Sequence, residues 1–392
     1  GVLSFGGPYT VFNNVCPPLA SSPGGIVMPY WDDLHPGIYG QVFYDVRGSF
    51  PNRTFIVQWE QVATLANPAD TVIFQAQLLE RTGNIRFEYF NVESGEPDGI
   101  ALSPTGDLLV AEAAGDKVLR FSGGAFVENQ VRSRSGSLST PGGLSIGNGI
   151  NGDAVGDPSG DGADDLYVTS FDNDRVLLFE GGTTGPALNH GAFLGQIITP
   201  GAGGLDGPRD VVFGPDNNLY VSSFHTDQVL RYNGSSGAFL NVFVAAGSGG
   251  LDGPDDLLFA PDGNLYVSSF NNDRVLKYNG ATGALIGTFV AAGSGGLDGP
   301  RGLAWGPADG NLYVASELND RVLRYSGVNG DFFNVAVDPG FGGLDAPRSM
   351  VFDASGDLRV AGFNSDVVHV FDVDQRNFLS AGSGLDFREG IV

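Results

Sequence analysis

The chain has 392 residues, of which 42% are hydrophobic, enough for two or three domains with buried cores. No apolar run approaches the roughly 18 residues of a membrane-spanning helix, so we expect no membrane insertion in this stretch. The formal net charge is −25 at pH 7, and such a surface repels both nucleic-acid phosphates and anionic lipids. We therefore expect neither nucleic acid nor a membrane surface as a partner.

The counts of a few residue types narrow the fold further. Cys16 is the only cysteine, which excludes a disulfide within the chain and predicts a buried, inert thiol. The 61 glycines and 22 prolines have no collagen-like order, which predicts many turns between short strands. The four histidines are scattered, so a histidine-rich metal site is not expected.

The N-terminal region, residues 1–92, carries four stretches in which apolar and polar side chains alternate. These stretches are 41–46, 53–59, 71–78 and 85–90. An alternation of period 2 is typical of strands with one buried face, so the region predicts an antiparallel, β-sandwich-like domain. We place its boundary near residues 91–96.

Three segments of this region resemble the nidogen-type extracellular domain: 27–34, 53–59 and 74–80. The usual opening strand of that family is missing here. The resemblance implies an extracellular or cell-surface location. Because the sequence starts within a strand-like run and ends like the start of a repeat, we expect it to be a segment of a longer polypeptide.

The remainder of the chain is dominated by an internal repeat. The string GLDGP begins at Gly204, Gly250 and Gly296, and GLDAP begins at Gly343. Each copy contains four short runs rich in Val, Leu, Tyr and Phe, separated by turn residues, which predicts four strands. Together with two weaker copies, the repeats are anchored by six prolines: Pro97, Pro141, Pro208, Pro254, Pro300 and Pro347.

Four strands in one repeat cannot bury both faces of their sheet, so the repeats must pack against one another. Radial closure also protects the sheet edges, and we therefore predict an all-β protein with a six-bladed β-propeller over residues 97–392. A linear β-solenoid is the alternative. The LYV and DRVLRY strands resemble the NHL-repeat propellers, a resemblance that implies this architecture. It leaves the function open, because such propellers include binding modules, lyases and lactone hydrolases.

The segment 157–165, DPSGDGADD, has the spacing of a calcium loop. Oxygen-bearing side chains stand at loop positions 1, 3, 5 and 9, and glycine at position 6 permits a sharp turn. The segment resembles the FG-GAP loop of integrin-like propellers, but it has serine where Asn or Asp is usual. The alternative is an acidic turn without an ion. The predicted ligands of this single Ca²⁺ are Asp157, Ser159, Asp161 and Asp165.

A second candidate site is formed by the residues that follow the anchoring prolines. In a propeller these residues lie near the mouth of the central channel, where ligands commonly bind. They differ from copy to copy, as a specific pocket requires, although drift among exposed charges would give the same pattern. Asp98 stands at one of these positions, and the ligand ring predicted among them comprises Arg209, Asp210, Asp255, Asp256, Arg301 and Arg348.

An aspartate also recurs at the corner between the second and third strand of every repeat. Six copies in six blades favour turn hydrogen bonding over an active site. These residues are Asp116, Asp174, Asp227, Asp273, Asp320 and Asp366.

The sequence as a whole favours a secreted or cell-surface, non-catalytic binding, adhesion or structural protein. We expect its partner to be an extracellular protein, a glycan or further copies of the chain. The alternative is a calcium-dependent, lactonase-like hydrolase or lyase built on Asp210, Asp255 or Asp256. A metal on the channel axis would favour the enzyme, whereas a metal confined to residues 157–165 would favour the binding protein.

Overall fold

The structure is a computed structural model that describes residues 96–122, 125–147, 165–181 and 191–373, together with the backbone of several strands outside these ranges. The chain divides into two compact units, Gly1–Asn91 with Asp386–Val392, and Val92–Leu385. Every described element is a β-strand or a single 3-10 turn, which confirms the predicted all-β class. Within these ranges no helix has the length and apolar character that a membrane crossing needs.

The first unit contains six described strands. Strands β3 to β6 form one antiparallel meander, and β1 pairs with β2. The second layer of a sandwich would fall outside the described residues and stays a prediction, as do the domain boundaries 1–92 and 97–392. The strands are β1 (Leu3–Ser4), β2 (Ile26–Val27), β3 (Gln41–Arg47), β4 (Thr54–Ala63), β5 (Thr71–Leu79) and β6 (Ile85–Tyr89).

The second unit consists of six four-stranded antiparallel sheets, one for each predicted repeat. Every anchoring proline is the first residue of an innermost strand, a position where its missing N–H breaks no ladder. Blade 1 contains β7 (Pro97–Leu102), β8 (Leu108–Glu112), β9 (Lys117–Ser122) and β10 (Ala125–Val131). Blade 2 contains β11 (Pro141–Gly147), β12 (Asp165–Ser170), β13 (Arg175–Phe179) and β14 (Phe193–Ile198). Blade 3 contains β15 (Pro208–Phe213), β16 (Leu219–Ser223), β17 (Gln228–Tyr232) and β18 (Phe239–Val244).

The last three blades repeat this pattern. Blade 4 contains β19 (Pro254–Phe259), β20 (Leu265–Ser269), β21 (Arg274–Tyr278) and β22 (Leu285–Val290). Blade 5 contains β23 (Pro300–Trp305), β24 (Leu312–Ser316), β25 (Arg321–Tyr325) and β26 (Phe332–Val337). Blade 6 contains β27 (Pro347–Phe352), β28 (Leu358–Gly362), β29 (Val367–Asp372) and β30 (Asn377–Ala381). The 3-10 turns are Ser135–Ser137, Phe171–Asn173, Ala202–Gly204, Phe224–Thr226, Ser248–Gly250, Phe270–Asn272, Ser294–Gly296, Glu317–Asn319 and Phe341–Gly343.

The innermost strands of the six blades contact one another in a closed ring, and β27 of blade 6 contacts β7 of blade 1. This closure confirms the six-bladed propeller and excludes the open solenoid. Each blade is built from four consecutive strands, so no strand is exchanged between the first and last blades. The seam between these two blades is therefore held by side chains.

Among the described residues of the propeller, the hydrophobic core consists of six clusters, and each lies between two adjacent blades. At the seam, Phe121 and Leu108 of blade 1 pack with Val368 and Ala361 of blade 6. The physical premise of the prediction therefore holds, because each sheet buries its faces only against its neighbours.

The recurring corner aspartates share one backbone conformation, and five of the six accept a hydrogen bond from the following blade. All six have φ between 52° and 59°, the left-handed region that Asp tolerates better than most side chains. Asp174 Oδ1 accepts the backbone N–H of Gly207 at 2.8 Å, one residue ahead of the next anchoring proline. Asp116, Asp227, Asp273 and Asp320 make the same contact with their following blades.

Candidate functional site at the channel mouth

The residues after the anchoring prolines leave the regular ladder and line the channel. In blades 2 to 6 the pairing of the innermost strand with the second strand is interrupted between the proline and the residue three positions later. A bulge of this kind re-aims side chains. The cavity on the channel axis has a volume of about 150 Å³, and five of the six predicted ring residues line it: Arg209, Asp210, Asp255, Asp256 and Arg348.

Six charged side chains of alternating sign form a closed circuit at this mouth, which we call the charge ring. Its members, each of which contacts the next, are Asp98, Arg348, Glu317, Arg301, Asp255 and Arg209. Arg209 also contacts Asp98, and this ion pair closes the ring. The sixth predicted residue, Arg301, thus belongs to the same site without lining the cavity.

The contacts are tight on one side of the charge ring and looser on the other. Arg348 donates to Asp98 and to Glu317, both at 2.8 Å. Arg301 donates from Nε to Glu317 at 2.6 Å and from Nη1 to Asp255. Arg209 makes longer ion pairs, 3.6 Å from Nη1 to Asp98 and 3.8 Å from Nε to Asp255. Its buried Nε has no hydrogen-bond partner.

Each arginine of the charge ring lies over a phenylalanine, which fixes its plane by cation–π contact. The guanidinium carbons lie 3.9 Å, 4.3 Å and 3.2 Å from the ring centroids in the pairs Arg209–Phe171, Arg301–Phe270 and Arg348–Phe363. These phenylalanines directly follow the second strand of their blades. In blade 5 the same position is occupied by Glu317, so an acidic group stands where blades 2, 3, 4 and 6 place a phenylalanine.

The charge ring determines the ionisation of its members. Burial alone would raise the pKa of Asp98, but the guanidinium groups of Arg348, Arg209 and Arg301 outweigh it and hold the pKa below its ordinary value. Burial likewise would lower the pKa of Arg301, but Asp255, Glu317 and Asp98 raise it instead. The ring thus favours the charged forms of Asp98 and Arg301.

Asp210 and Asp256 follow the ring residues by one position and form a separate carboxyl pair. Their side chains hydrogen-bond to each other. Asp210 also accepts the N–H of Leu257 at 3.1 Å, and Asp256 accepts the N–H of Leu303. Burial raises the pKa of Asp210 to about 6, and burial together with the charge of Asp210 raises the pKa of Asp256 well above its ordinary value. The pair therefore favours one shared proton over two adjacent negative charges.

The structure thus brings all six predicted ring residues together with Asp98, which stands at one of the predicted positions after the prolines, and adds Glu317. Glu317 lies outside the positions after the prolines. Its available signal was an acidic residue at a repeat position where four blades carry phenylalanine.

The predicted calcium loop falls mostly outside the described residues. Three of its predicted ligands, Asp157, Ser159 and Asp161, lie outside the described residues. The fourth, Asp165, is the first residue of β12. In the part of the chain that the structure describes, no group of three or more His, Cys, Asp or Glu side chains is arranged to hold a metal. The calcium site therefore stays a prediction.

A serine–histidine contact in blade 6 has the partners of a hydrolytic dyad but the wrong electrostatics. His369 Nε2 lies 2.8 Å from Ser365 Oγ. Burial lowers the pKa of His369 to about 3, so the imidazole accepts no proton near neutral pH. A general base needs a pKa close to the working pH, and this contact is therefore a core hydrogen bond.

Comparisons with known proteins agree with the architecture. A family model described as NIDO related matches residues 1–115, which confirms the nidogen-type resemblance of the N-terminal region and extends into blade 1. A search of curated proteins finds no match.

Solved structures share the fold at low sequence identity. A chain of a nidogen/laminin complex is 14% identical, with a TM-score of 0.52 over 68% of this chain and 90% of that one. Virginiamycin B lyase from Staphylococcus aureus is 14% identical, with a TM-score of 0.51 over 86% and 96%. A protein from Lactobacillus plantarum is 17% identical, with a TM-score of 0.52 over 80% and 92%. These likenesses show the fold alone, because propellers of this kind serve both binding and catalysis.

Proposed function

We propose that this chain is a secreted or cell-surface, non-catalytic binding, adhesion or structural protein whose propeller acts as a scaffold. The nidogen-related match over residues 1–115 supports the location. The partners that fit this role are an extracellular protein, a glycan or further copies of the chain.

The observation that carries the proposal is the charge ring. Asp98, Asp255 and Glu317 are the carboxylates of the charge ring, and each contacts two arginines. A Ca²⁺ ion on the axis needs six to eight oxygen ligands. Recruiting these carboxylates would break buried ion pairs and place the cation beside three guanidinium groups, both at high cost. The charges at the mouth are therefore used to hold blades together.

A single Ca²⁺ at residues 157–165 completes the proposal, bound by Asp157, Ser159, Asp161 and Asp165. Isothermal titration of the whole chain with Ca²⁺ tests it, using Asp161→Ala and Asp256→Asn as paired variants. We expect one binding event that is lost in Asp161→Ala and kept in Asp256→Asn. Binding that survives Asp161→Ala and disappears in Asp256→Asn would place the metal on the channel axis and overturn the proposal.

The second candidate is a calcium-dependent, lactonase-like hydrolase or lyase at the channel mouth. The specific observation in its favour is the carboxyl pair of Asp210 and Asp256, which holds a proton beside the cavity and has the chemistry of a general acid. Aryl lactones and aryl esters in the presence of Ca²⁺ are suitable probes. Turnover by the unaltered chain that is abolished in Asp256→Asn would establish the enzyme. We expect both proteins to leave the substrates unchanged.

The location is tested on intact cells of the natural source with an antibody raised against the propeller. We expect labelling without permeabilisation. Labelling that requires permeabilisation would contradict an extracellular or cell-surface role.

A further inference from the structure

Large exposed apolar side chains are concentrated on the outermost strands of the propeller. Twelve such side chains occur in the described residues, and nine of them lie on these strands. Scattered exposed apolar residues are normal on a protein surface, but a concentration in one structural position indicates a contact surface. The nine are Val127, Phe193, Phe239, Leu240, Val242, Leu285, Ile286, Phe332 and Phe333.

Two β-bulges shape each of the outermost strands in blades 3 and 4. In β18 the pairing with β17 skips Leu240 and Phe243. Phe243 turns inward, where its ring centroid lies 4.8 Å from that of Tyr220, while Leu240 is 43% exposed. In β22 the pairing skips the equivalent Ile286, which is 54% exposed. Because bulges disrupt edge pairing, these strands present side chains to a partner in place of a free backbone edge.

The same strands lie in the longest charge-free stretches of blades 3 and 4. Residues 233–251 and 279–297 contain no Asp, Glu, Lys or Arg, in a chain with 45 acidic residues. The nearest charges on the adjacent strands are paired, Arg231 with Asp216 and Lys277 with Asp262. We call the outermost strands of these two blades, β18 and β22, the outer rim.

We propose that the outer rim is the surface through which two copies of this chain associate. The argument rests on charge: two chains with a net charge of −25 repel each other over acidic surfaces, and the uncharged rim is where they approach at the lowest electrostatic cost. A two-fold contact places the same patch on both copies, so Leu240 and Ile286 of one copy face those of the other.

The size of the patch sets the expected strength. A large side chain presents on the order of 200 Å² when free, so the five exposed apolar side chains of the outer rim offer roughly 400 Å² per copy. This apolar area is about half of the roughly 800 Å² of total surface that each partner buries in a standard interface, so the patch fits the small, weak class of specific interfaces. The association is therefore concentration-dependent, and repetition along a surface layer would strengthen it.

Sedimentation velocity of the full chain tests the proposal between about 1 and about 300 µM, where interfaces of this class dissociate. Raising NaCl from about 0.15 M to about 1 M shortens the screening length from ~8 to ~3 Å and should strengthen the dimer, since it weakens the repulsion. Leu240→Asp and Ile286→Asp should each weaken association about tenfold or more. Val328→Asp adds the same charge at a 91% exposed apolar residue of blade 5 and should leave it unchanged.

Three results would overturn the proposal: a monomer at every concentration and both salt levels, equal weakening by Val328→Asp, or full association in both rim variants. The neutral variant Leu240→Asn separates lost apolar contact from added charge and should also weaken the dimer. The rim contact gives the proposed scaffold a second copy of the chain as its partner. The dimer and the scaffold role are tested by different measurements. If the chain is monomeric and binds Ca²⁺ at residues 157–165, only the dimer through the outer rim is contradicted. If the chain is a dimer but intracellular, only the proposed extracellular role is contradicted.

Discussion

Replacing Asp98 by asparagine removes the carboxylate through which blade 1 joins the charge ring. Asp98 accepts a hydrogen bond of 2.8 Å from Arg348 of blade 6 and forms an ion pair of 3.6 Å with Arg209 of blade 3. Asparagine keeps the shape of the side chain but leaves both guanidinium groups without this countercharge. Because no strand crosses from blade 6 to blade 1, the variant weakens the seam directly.

The expected loss of stability in Asp98→Asn follows from the burial of this side chain. The side chain of Asp98 is only 8% exposed, and removing one partner from a buried ion pair costs about 3–5 kcal/mol. Since the ring retains other pairs, we expect a loss of about 3 kcal/mol in the free energy of unfolding. The matched control is Arg134→Ala, which removes an ion pair to Asp116 whose arginine is 81% exposed. Exposed pairs contribute about 0–1 kcal/mol, so this control should change little.

The assay is urea unfolding followed by tryptophan fluorescence. The chain has three tryptophans, and replacing Trp31 and Trp59 by phenylalanine leaves Trp305 of β23 as a reporter of the propeller. Hydrogen exchange adds a local readout, because opening of the seam should accelerate exchange in β7 and β27 first.

The pH dependence gives an internal check. The folded pKa of Asp98 is below its ordinary value, so the stabilisation is present above about pH 4 and is lost as the pH falls below it. The difference between the unaltered chain and Asp98→Asn should therefore shrink in acid. Equal urea midpoints for Asp98→Asn and Arg134→Ala at pH 7 would refute the role of the charge ring in closure.

Three further predictions concern the channel wall. The raised pKa of Asp256 means that the folded protein keeps a proton which the unfolded chain releases, so stability falls as the pH rises above about 4; thermal unfolding of Asp256→Asn should lack this decline. Gly99→Ala places a Cβ 1.9 Å from the carbonyl oxygen of Gly142 and should cost about 3 kcal/mol or more in urea unfolding, whereas Gly287→Ala meets no atom within 4 Å and should be neutral. Ser222→Ala removes a buried hydroxyl with two backbone partners and should cost about 1–3 kcal/mol in the same assay.

The blade architecture was predictable because the repeat fixes it locally. A proline at the start of each copy, the turn residues and the four apolar runs define four strands without reference to any other part of the chain. The number of copies then gives the number of blades, and burial of sheet faces requires neighbours. The inward position of Arg209 and Arg348 follows from the same reasoning, since equivalent residues in equivalent blades occupy equivalent places around the axis.

Contacts between blades were harder to predict from the sequence, because distance along the chain does not indicate which side chains meet at the channel axis. Asp174 was expected to bond within its own turn, yet its acceptor oxygen reaches the N–H of Gly207 in the next blade. Glu317 was missed because it approaches the mouth from the end of a second strand, while the prediction considered only residues after the prolines. Both contacts require the curvature and spacing of the closed ring, which a linear repeat pattern does not contain.

The hydrogen bonds and ion pairs that join neighbouring blades around the central channel are distributed unevenly. Their distribution explains where the charge ring lies. From blade 2 to blade 4 the hub is linked by hydroxyl groups: Thr169 donates to the carbonyl of Arg209, and Ser222 donates to that of Asp255, each in the following blade. The equivalent residues of blades 5, 6 and 1 are Ala315, Ala361 and Ala111, which offer no such bond.

Two short ion pairs of the charge ring cross these alanine-bearing blades. Glu317 of blade 5 binds Arg348 of blade 6, and Arg348 binds Asp98 of blade 1, both at 2.8 Å. The pair of Arg348 with Asp98 therefore spans the seam that no strand crosses, and the longer pairs of Arg209 fall where hydroxyl links already join the blades. A ring placed to bind a ligand would have no reason to follow this division, whereas a ring that closes the propeller would.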